Sequence, residues 1–256
     1  MKIGVIFVAW QSGDLLSSSL LPWINARKQH LGGHDYTIAA VSVPFEGFPQ
    51  EELLDSTMAV LHTEREQGEI DYHLQNVVPM KETEARGAAL KWLVEQGCDV
   101  TWQADADEFP TPQQIEGTLR FFETRPHVAW ARGSLRNYVF DRQTYLVEPF
   151  TPPRLHRTRL PGGWVASAFW DDNNVLYFRE GQVNERREIR DVDLPHVTVP
   201  KRLSIRHESW LNDSRSRRKI AYQNARVGWQ CSFDWDDARG GLIWRDGQPI
   251  PETARD

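Results

Sequence analysis

The sequence predicts an α/β fold: a mixed, mostly parallel sheet with helices on both faces and an elaborated C-terminal half. Three observations predict it. Strand-length apolar runs alternate with helix-patterned runs through residues 1–125. One helix start carries a complete capping signature. A strand of strictly alternating pattern runs straight into an acidic loop just before that start, and in open α/β sheets such strand-to-helix turns are where ligands bind.

The elements follow in order. Ile3 to Ala9 is an unbroken apolar run and reads as a buried first strand. Asp14 is placed to cap a helix whose Leu16, Leu20 and Ile24 share one face, with Pro22 expected to make it irregular or split it. Tyr36 to Val43 is a second strand, ended by Pro44. Pro49 to His62 is helical in composition. Thr83 to Gln96 places Ala85, Ala89, Trp92 and Leu93 on one stripe, and Gly97 ends it.

Asp99 to Ala104 then alternates Val100, Trp102 and Ala104 against Thr101 and Gln103, as a strand does. Asp105-Ala106-Asp107-Glu108 follows it. Thr111-Pro112-Gln113-Gln114 is a helix start: Thr111 caps, Pro112 takes the first helical position and Gln114 completes a capping box. Ile115, Leu119 and Phe122 recur on one face. Beyond it, Val128 to Gly133 and Arg136 to Phe140 read as strands, and Asp213 to Arg226 as a helix with a basic run from Arg215 to Lys219. Trp235 to Asp256 reads as loop-rich.

At 256 residues the chain has the length of one large domain or two small ones, and with no linker that clearly separates domains it is read as a single domain over 1–256. Its 40% hydrophobic and 26% charged content excludes disordered, collagen-like and low-complexity classes. The 11 tryptophans imply either a large core or flat surfaces for stacking sugars or bases. Cys98 and Cys231 are too few for a disulfide framework or a structural zinc site and read as buried thiols. The N-terminal run lacks a cleavage site and is too short to span a bilayer, so the expectation is a soluble, cytoplasmic protein.

Charge is unevenly placed. Residues 1–150 carry 12 basic and 21 acidic side chains, whereas residues 151–228 carry 15 and 9. The overall −6 gives no support to a general nucleic-acid binder, but the basic stretch allows a local anionic partner.

Asp105-x-Asp107, extended by Glu108, is the main candidate for chemistry. Carboxylates on a tight loop suit a hard divalent cation, Mg²⁺ or Mn²⁺, which keeps open positions for substrate phosphates. The plain alternative is a solvated turn.

The run Glu84-Ala85-Arg86-Gly87-Ala88-Ala89-Leu90, the alternating strand and Asp105-Ala106-Asp107-Glu108 together resemble GT-A glycosyltransferases, especially family 2-like enzymes. Gly87 stands where that pattern usually has Asn. Ile205-Arg206-His207-Glu208-Ser209-Trp210 resembles the His-x-Ser-Trp-like segment of related enzymes. The likeness covers about residues 1–125 and, more thinly, 200–225.

The resemblance implies a Rossmann-like GT-A domain, with a nucleotide-sugar-binding half at 1–125 and an acceptor-binding half, with C-terminal helix and tail, at 126–256. It also implies metal-dependent transfer of a sugar from a nucleoside diphosphate to an acceptor hydroxyl, with inversion. By position, Phe7, Ala9 and Gln11 would line the nucleotide, and Glu46 would reach the base or ribose. Arg86 would support the acidic loop or the diphosphate, although pairing with Glu82 one turn earlier is its simpler role. Asp105 would contact ribose or a metal-bound water. Asp107 would ligate Mn²⁺ or Mg²⁺, with His207 as the second protein ligand, and Arg215, Arg217, Arg218 and Lys219 are candidates to help stabilise the leaving diphosphate.

An inverting enzyme needs a general base. Asp172 is the favoured candidate, with Asp171 and Glu208 behind it, and Trp164 and Trp170 are candidates to stack on an acceptor ring. Acceptor options are a saccharide, a lipid-linked glycan, a protein, or a hydroxylated base in phage-type DNA. For the last, Arg154, Arg157, Arg159, Arg186, Arg187 and Arg190 would hold the strand.

Two rival readings remain. A phosphatase of the haloacid dehalogenase type would place Asp-x-Asp after the first strand, with Thr or Val where Phe109 stands. A non-enzymatic carbohydrate-binding protein would account for the tryptophans but not for the carboxylate loop. No phosphate-binding P-loop, nucleophile elbow or His-Glu-x-x-His motif is present.

Overall fold

The computed structural model describes residues 1–10, 12–46, 56–147, 149–171, 173–179, 188–211, 213–225, 233–239, 241–245 and 252–255. In chain order the strands of the first half are β1 (Lys2–Val8), β2 (Asp35–Ser42), β3 (Tyr72–Gln75), β4 (Val100–Asp105) and β5 (Glu108–Phe109). Then come β6 (Trp130–Arg132), β7 (Leu135–Val139), β8 (Thr144–Leu146), β9 (Pro153–Arg157), β10 (Arg159–Leu160), β11 (Trp164–Phe169) and β12 (Val175–Arg179). The last are β13 (Glu188–Arg190), β14 (His196–Thr198), β15 (Ile205–Trp210), β16 (Phe233–Asp236), β17 (Gly241–Trp244) and β18 (Thr253–Arg255). The helices are α1 (Gly13–Lys28), α2 (Thr57–Glu66), α3 (Glu82–Glu95), α4 (Pro112–Glu123) and α5 (Asp213–Ala225).

Seven strands form the central sheet in the order β14-β6-β9-β4-β1-β2-β3. All run parallel except β9, which is antiparallel to both β4 and β6. Alternation divides its two faces. Ile3, Val5, Phe7, Val100, Trp102 and Ala104 pack with Leu16, Leu20 and Trp23 of α1 and with Ile115, Leu119 and Phe122 of α4. Ile6, Val8, Ala39 and Val41 point the other way, onto Ala85, Ala89, Leu90 and Leu93 of α3. Gly4 permits that close approach, because a Cβ there would lie 3.0 Å from both methyls of Leu93.

The α3 face is completed by strands rather than by a further helix. The antiparallel meander β10-β11-β12-β13 lays Ala166, Phe169, Val175 and Tyr177 against the α3 core. A five-stranded sheet, β18-β8-β7-β15-β5, ties the C-terminal half to the end of β4, and β16–β17 form a hairpin.

Several expectations are met in detail. Thr111 and Gln114 make the reciprocal capping box, with Pro112 at the first helical position. Others are corrected. α1 runs unbroken through Pro22, and its N-cap is Ser12, with Asp14 in the first turn favouring the helix dipole. The short strand β3 carries no sequence signal, because three of its residues are only partly buried, Gln75 is exposed and the run shows no periodicity. The tail is not simply loop: Phe233, Trp235, Leu242 and Trp244 build a small aromatic core with Trp210 and Ile220. Cys98 is buried as expected, and Cys231 lies outside the described residues. Among the described residues, no helix is long and apolar enough to cross a membrane.

Candidate active site

The carboxyl ends of β1, β2 and β4 open onto one cleft of about 280 Å³. The connection leaving β1 runs to β2 on one side, whereas the connection leaving β4 runs to β6 on the other, and a crevice opens between them above the sheet. Val8, Trp10 and Ser12 line it from the end of β1, Phe45 from beyond β2, and Asp105, Ala106 and Asp107 from the end of β4. Glu82 and Arg86 reach it from α3, Arg154 from β9, Asn173 from the β11–β12 turn and His207 from β15. Lys219, Tyr222 and Gln223 close it from α5.

Two guanidiniums fix Asp105. Arg86 Nη2 donates to Oδ1 at 2.8 Å and Arg154 Nη2 to Oδ2 at 2.7 Å. Arg86 also bonds Glu82 one turn away, through Nε at 2.9 Å and Nη2 at 2.7 Å, so both roles considered for it from sequence are filled at once. Arg154 further binds Asn173 Oδ1 at 2.7 Å and Glu108 Oε1. Both arginines are buried, at 3% and 2% exposure. Burial alone would raise the Asp105 carboxyl, but Arg86 and Arg154 overcome it and hold it below the usual carboxylate range.

Glu108 is the opposite case. It is 1% exposed, and its Oε2 has no hydrogen-bond partner. Burial, reinforced by Asp105 and Asp107 and opposed by Arg154, pushes its carboxyl up to about 8. Two arginines therefore face three carboxylates, Glu82, Asp105 and Glu108, and of the three Glu108 has the surroundings that favour the protonated form.

Asp107 and His207 are brought together by strand pairing, since His207 lies opposite Glu108 in the β5–β15 ladder. The Glu108-adjacent carbonyl of Asp107 accepts the Glu208 N–H at 2.8 Å. His207 Nε2 stands 3.4 Å from Asp107 Oδ1. Its other nitrogen, Nδ1, is hydrogen-bonded to Asn137 Oδ1. With Nδ1 donating, a neutral ring turns its Nε2 lone pair toward a carboxylate oxygen. Such a facing pair of electron donors, braced from behind by an amide, suits a divalent cation. Among the described residues no cluster of three or more His, Cys, Asp or Glu side chains is placed to hold a metal. The remaining ligands would come from substrate oxygens and water.

The other sequence candidates fall as follows. Phe7 and Ala9 are buried within the sheet, and Phe7 belongs to the core facing α1. Glu46 is exposed and its backbone N–H binds Met80 O at 2.9 Å; its neighbour Phe45 lines the cleft instead. Asp171 serves its own turn: Oδ1 accepts from the N–H groups of Asn173 (2.9 Å) and Asn174 (2.8 Å), and Oδ2 from the Asn174 amide (2.6 Å). Glu208 is turned toward Arg206 and Arg142. Among the described residues, neither Asp171 nor Glu208 lines the cleft. Gln11 and Asp172 lie outside the described residues.

Arg154, expected from sequence among the arginines that would hold a nucleic-acid strand, is instead buried. It is internal, as is much of Arg157, whose guanidinium donates to the carbonyls of Val128, Phe122 and Arg125. Arg190 lies over Trp170, whose indole N–H donates to Asp191 Oδ1 at 3.2 Å. Nothing local marks Arg154, Asn137 or Tyr222 as site residues; the partners of Arg154 at Asp105 lie 49 positions away.

No protein-family model matches the chain, and no curated protein matches it. Solved structures resemble it at low identity. Staphylococcus aureus TarS superposes with a TM-score of 0.41 at 12% identity over 61% of this chain and 28% of TarS. TarS 1–349, in complex with UDP, gives the same TM-score and identity over 47% of its length. This chain thus spans less than half of either. A nucleotide-diphospho-sugar transferase from Desulfovibrio desulfuricans G20 gives 0.38 at 10% identity, over 88% of this chain and 89% of that one.

Proposed function

Proceeding from a GT-A-like mixed α/β fold with its acidic loop at the sheet's crevice, we propose that the chain is a metal-dependent glycosyltransferase. It would move a sugar from a nucleoside-diphosphate donor to an acceptor hydroxyl. The single observation that carries the reading is the Asp107–His207 pair, 3.4 Å apart in the cleft beside an Asp105 fixed by two arginines.

Asp107 and His207 would hold Mn²⁺ or Mg²⁺, and the bound ion would offset charge developing on the leaving diphosphate. Asp105 is held ionised and oriented, which suits it to accept hydrogen bonds from the donor's ribose hydroxyls. Trp10 and Phe45 supply apolar walls beside it for a planar base. Phe150, 48% exposed, stands at the edge of the same cleft and gives an acceptor ring an apolar face.

The acceptor class we favour is a saccharide or glycan hydroxyl, with inversion expected if a carboxylate such as Asp172 activates it. For a hydroxylated DNA base, two of the arginines once assigned to the strand are committed inside the fold.

The test is a thermal-shift titration of wild type and Asp107→Ala with UDP, GDP, CDP and ADP, each with and without Mn²⁺. A ligand at 100 times its Kd adds about 2.7 kcal/mol to apparent stability. The reading expects a Mn²⁺-dependent rise with one nucleotide, lost in Asp107→Ala. No rise with any of the four refutes it and favours the carbohydrate-binding alternative.

A further inference from the structure

The described charges lining the cleft balance. Glu82, Asp105 and Asp107 are matched by Arg86, Arg154 and Lys219. The two arginines are spent, buried and bonded to carboxylates in fixed geometry. Lys219 is more exposed than either arginine. Its side chain is 26% exposed, its ammonium is 3.9 Å from Asp107 Oδ2, and it lies 4.9 Å over the Trp210 ring. A four-carbon stem lets the ammonium sweep several ångström without moving the helix. Tyr222, three residues further along α5, reaches across the cleft to Glu82 Oε2 at 3.5 Å, which seats this stretch of α5 over the acidic loop.

From this geometry, and resting on the donor reading above, we infer that Lys219 alternates between two partners. Without donor it is the counterion of Asp107. Once a divalent cation is held by Asp107 and His207, Lys219 is released and becomes the chain's own cation on the donor diphosphate. Electrostatics favours the exchange. Placing a dication on Asp107 leaves Lys219 beside two positive charges, and an incoming phosphate oxygen relieves that repulsion.

The inference predicts opposite changes in two affinities, a pattern that loss of a merely structural contact does not produce. The experiment uses the full chain as wild type, Lys219→Met and Lys219→Arg. Calorimetry measures Mn²⁺ binding alone. It then measures, at saturating Mn²⁺, the diphosphate among UDP, GDP, CDP and ADP that wild type binds best, and the matching monophosphate.

Lys219→Met should bind Mn²⁺ alone about two- to fivefold tighter, because a competing cation is gone. It should bind the diphosphate roughly tenfold or more weakly, with a smaller change for the monophosphate. Lys219→Arg should restore both values to near wild type. Both affinities moving in the same direction, or neither moving, overturns the inference while leaving the donor reading intact. Wild type that binds Mn²⁺ but none of the diphosphates overturns both. Should Lys219→Met not fold, Lys219→Gln carries the same comparison.

Discussion

The raised carboxyl of Glu108 makes the cluster's stability fall as pH rises from about 4.5 through about 8, and Glu108→Gln should abolish that fall. The carboxyl is raised from 4.5 to about 8 in the folded chain, first by burial and then by Asp105 and Asp107. Between those values the native state holds a proton that the unfolded chain releases. The associated stability is therefore complete below about pH 4.5 and is lost as pH rises through about 8. At about 1.4 kcal/mol per unit, the ceiling on the loss is about 5 kcal/mol. Asp105 acts with the opposite sign. Its depressed carboxyl stabilises the fold above the ordinary aspartate range, and that contribution disappears as pH falls below it.

Glutamine is isosteric, keeps an oxygen for Arg154 and carries no charge. The assay is urea unfolding followed by tryptophan fluorescence from pH 5 to 9. Wild type should lose about 2–4 kcal/mol across that range relative to the variant, a midpoint drop of about 1 M or more. Histidine titration is common to both proteins and cancels in the difference. Parallel profiles for the two proteins would refute the assignment of the proton to Glu108.

Three further outcomes follow from the same packing. Gly133→Ala should cost about 2–4 kcal/mol, because its Cβ would lie 2.6 Å from Arg154 Cγ and displace a side chain held by three partners. Gly87→Ala, with nothing within 4 Å on α3, should instead gain about 0.5–1 kcal/mol, and melting both variants tests the contrast. Asp191→Ala should release the β10–β13 meander, since Asp191 binds His156 Nε2 (2.9 Å), the Val175 N–H (2.7 Å) and the Trp170 indole. Hydrogen exchange should then show lost protection over residues 164–179 before β1 and β4; a uniform loss would sink that reading.

The local elements were legible because their causes are local. Alternation from Val100 to Ala104 and the Thr111–Gln114 capping box are decided within a few residues, and both stand as read. So does the placement of Asp105 and Asp107 at the end of a parallel strand, because β4 needs no distant partner to alternate. Burial of the first strand was readable from its unbroken apolar run. Short, partly buried strands such as β3 carry no such signature.

The α/β class, the first strands and the acidic loop are thus written in local pattern. What surrounds that loop depends on how distant segments pack. The antiparallel insertion of β9 delivers Arg154 to Asp105, and pairing of β15 with β5 delivers His207 to Asp107. The packing of α5 places Lys219 and Tyr222 over the cleft. An arginine on a strand and a lysine on a basic helix look alike in sequence whether they face water or a carboxylate. Burial and ion pairing depend on which strands become neighbours, and strand order is a property of the whole chain, not of any segment of it.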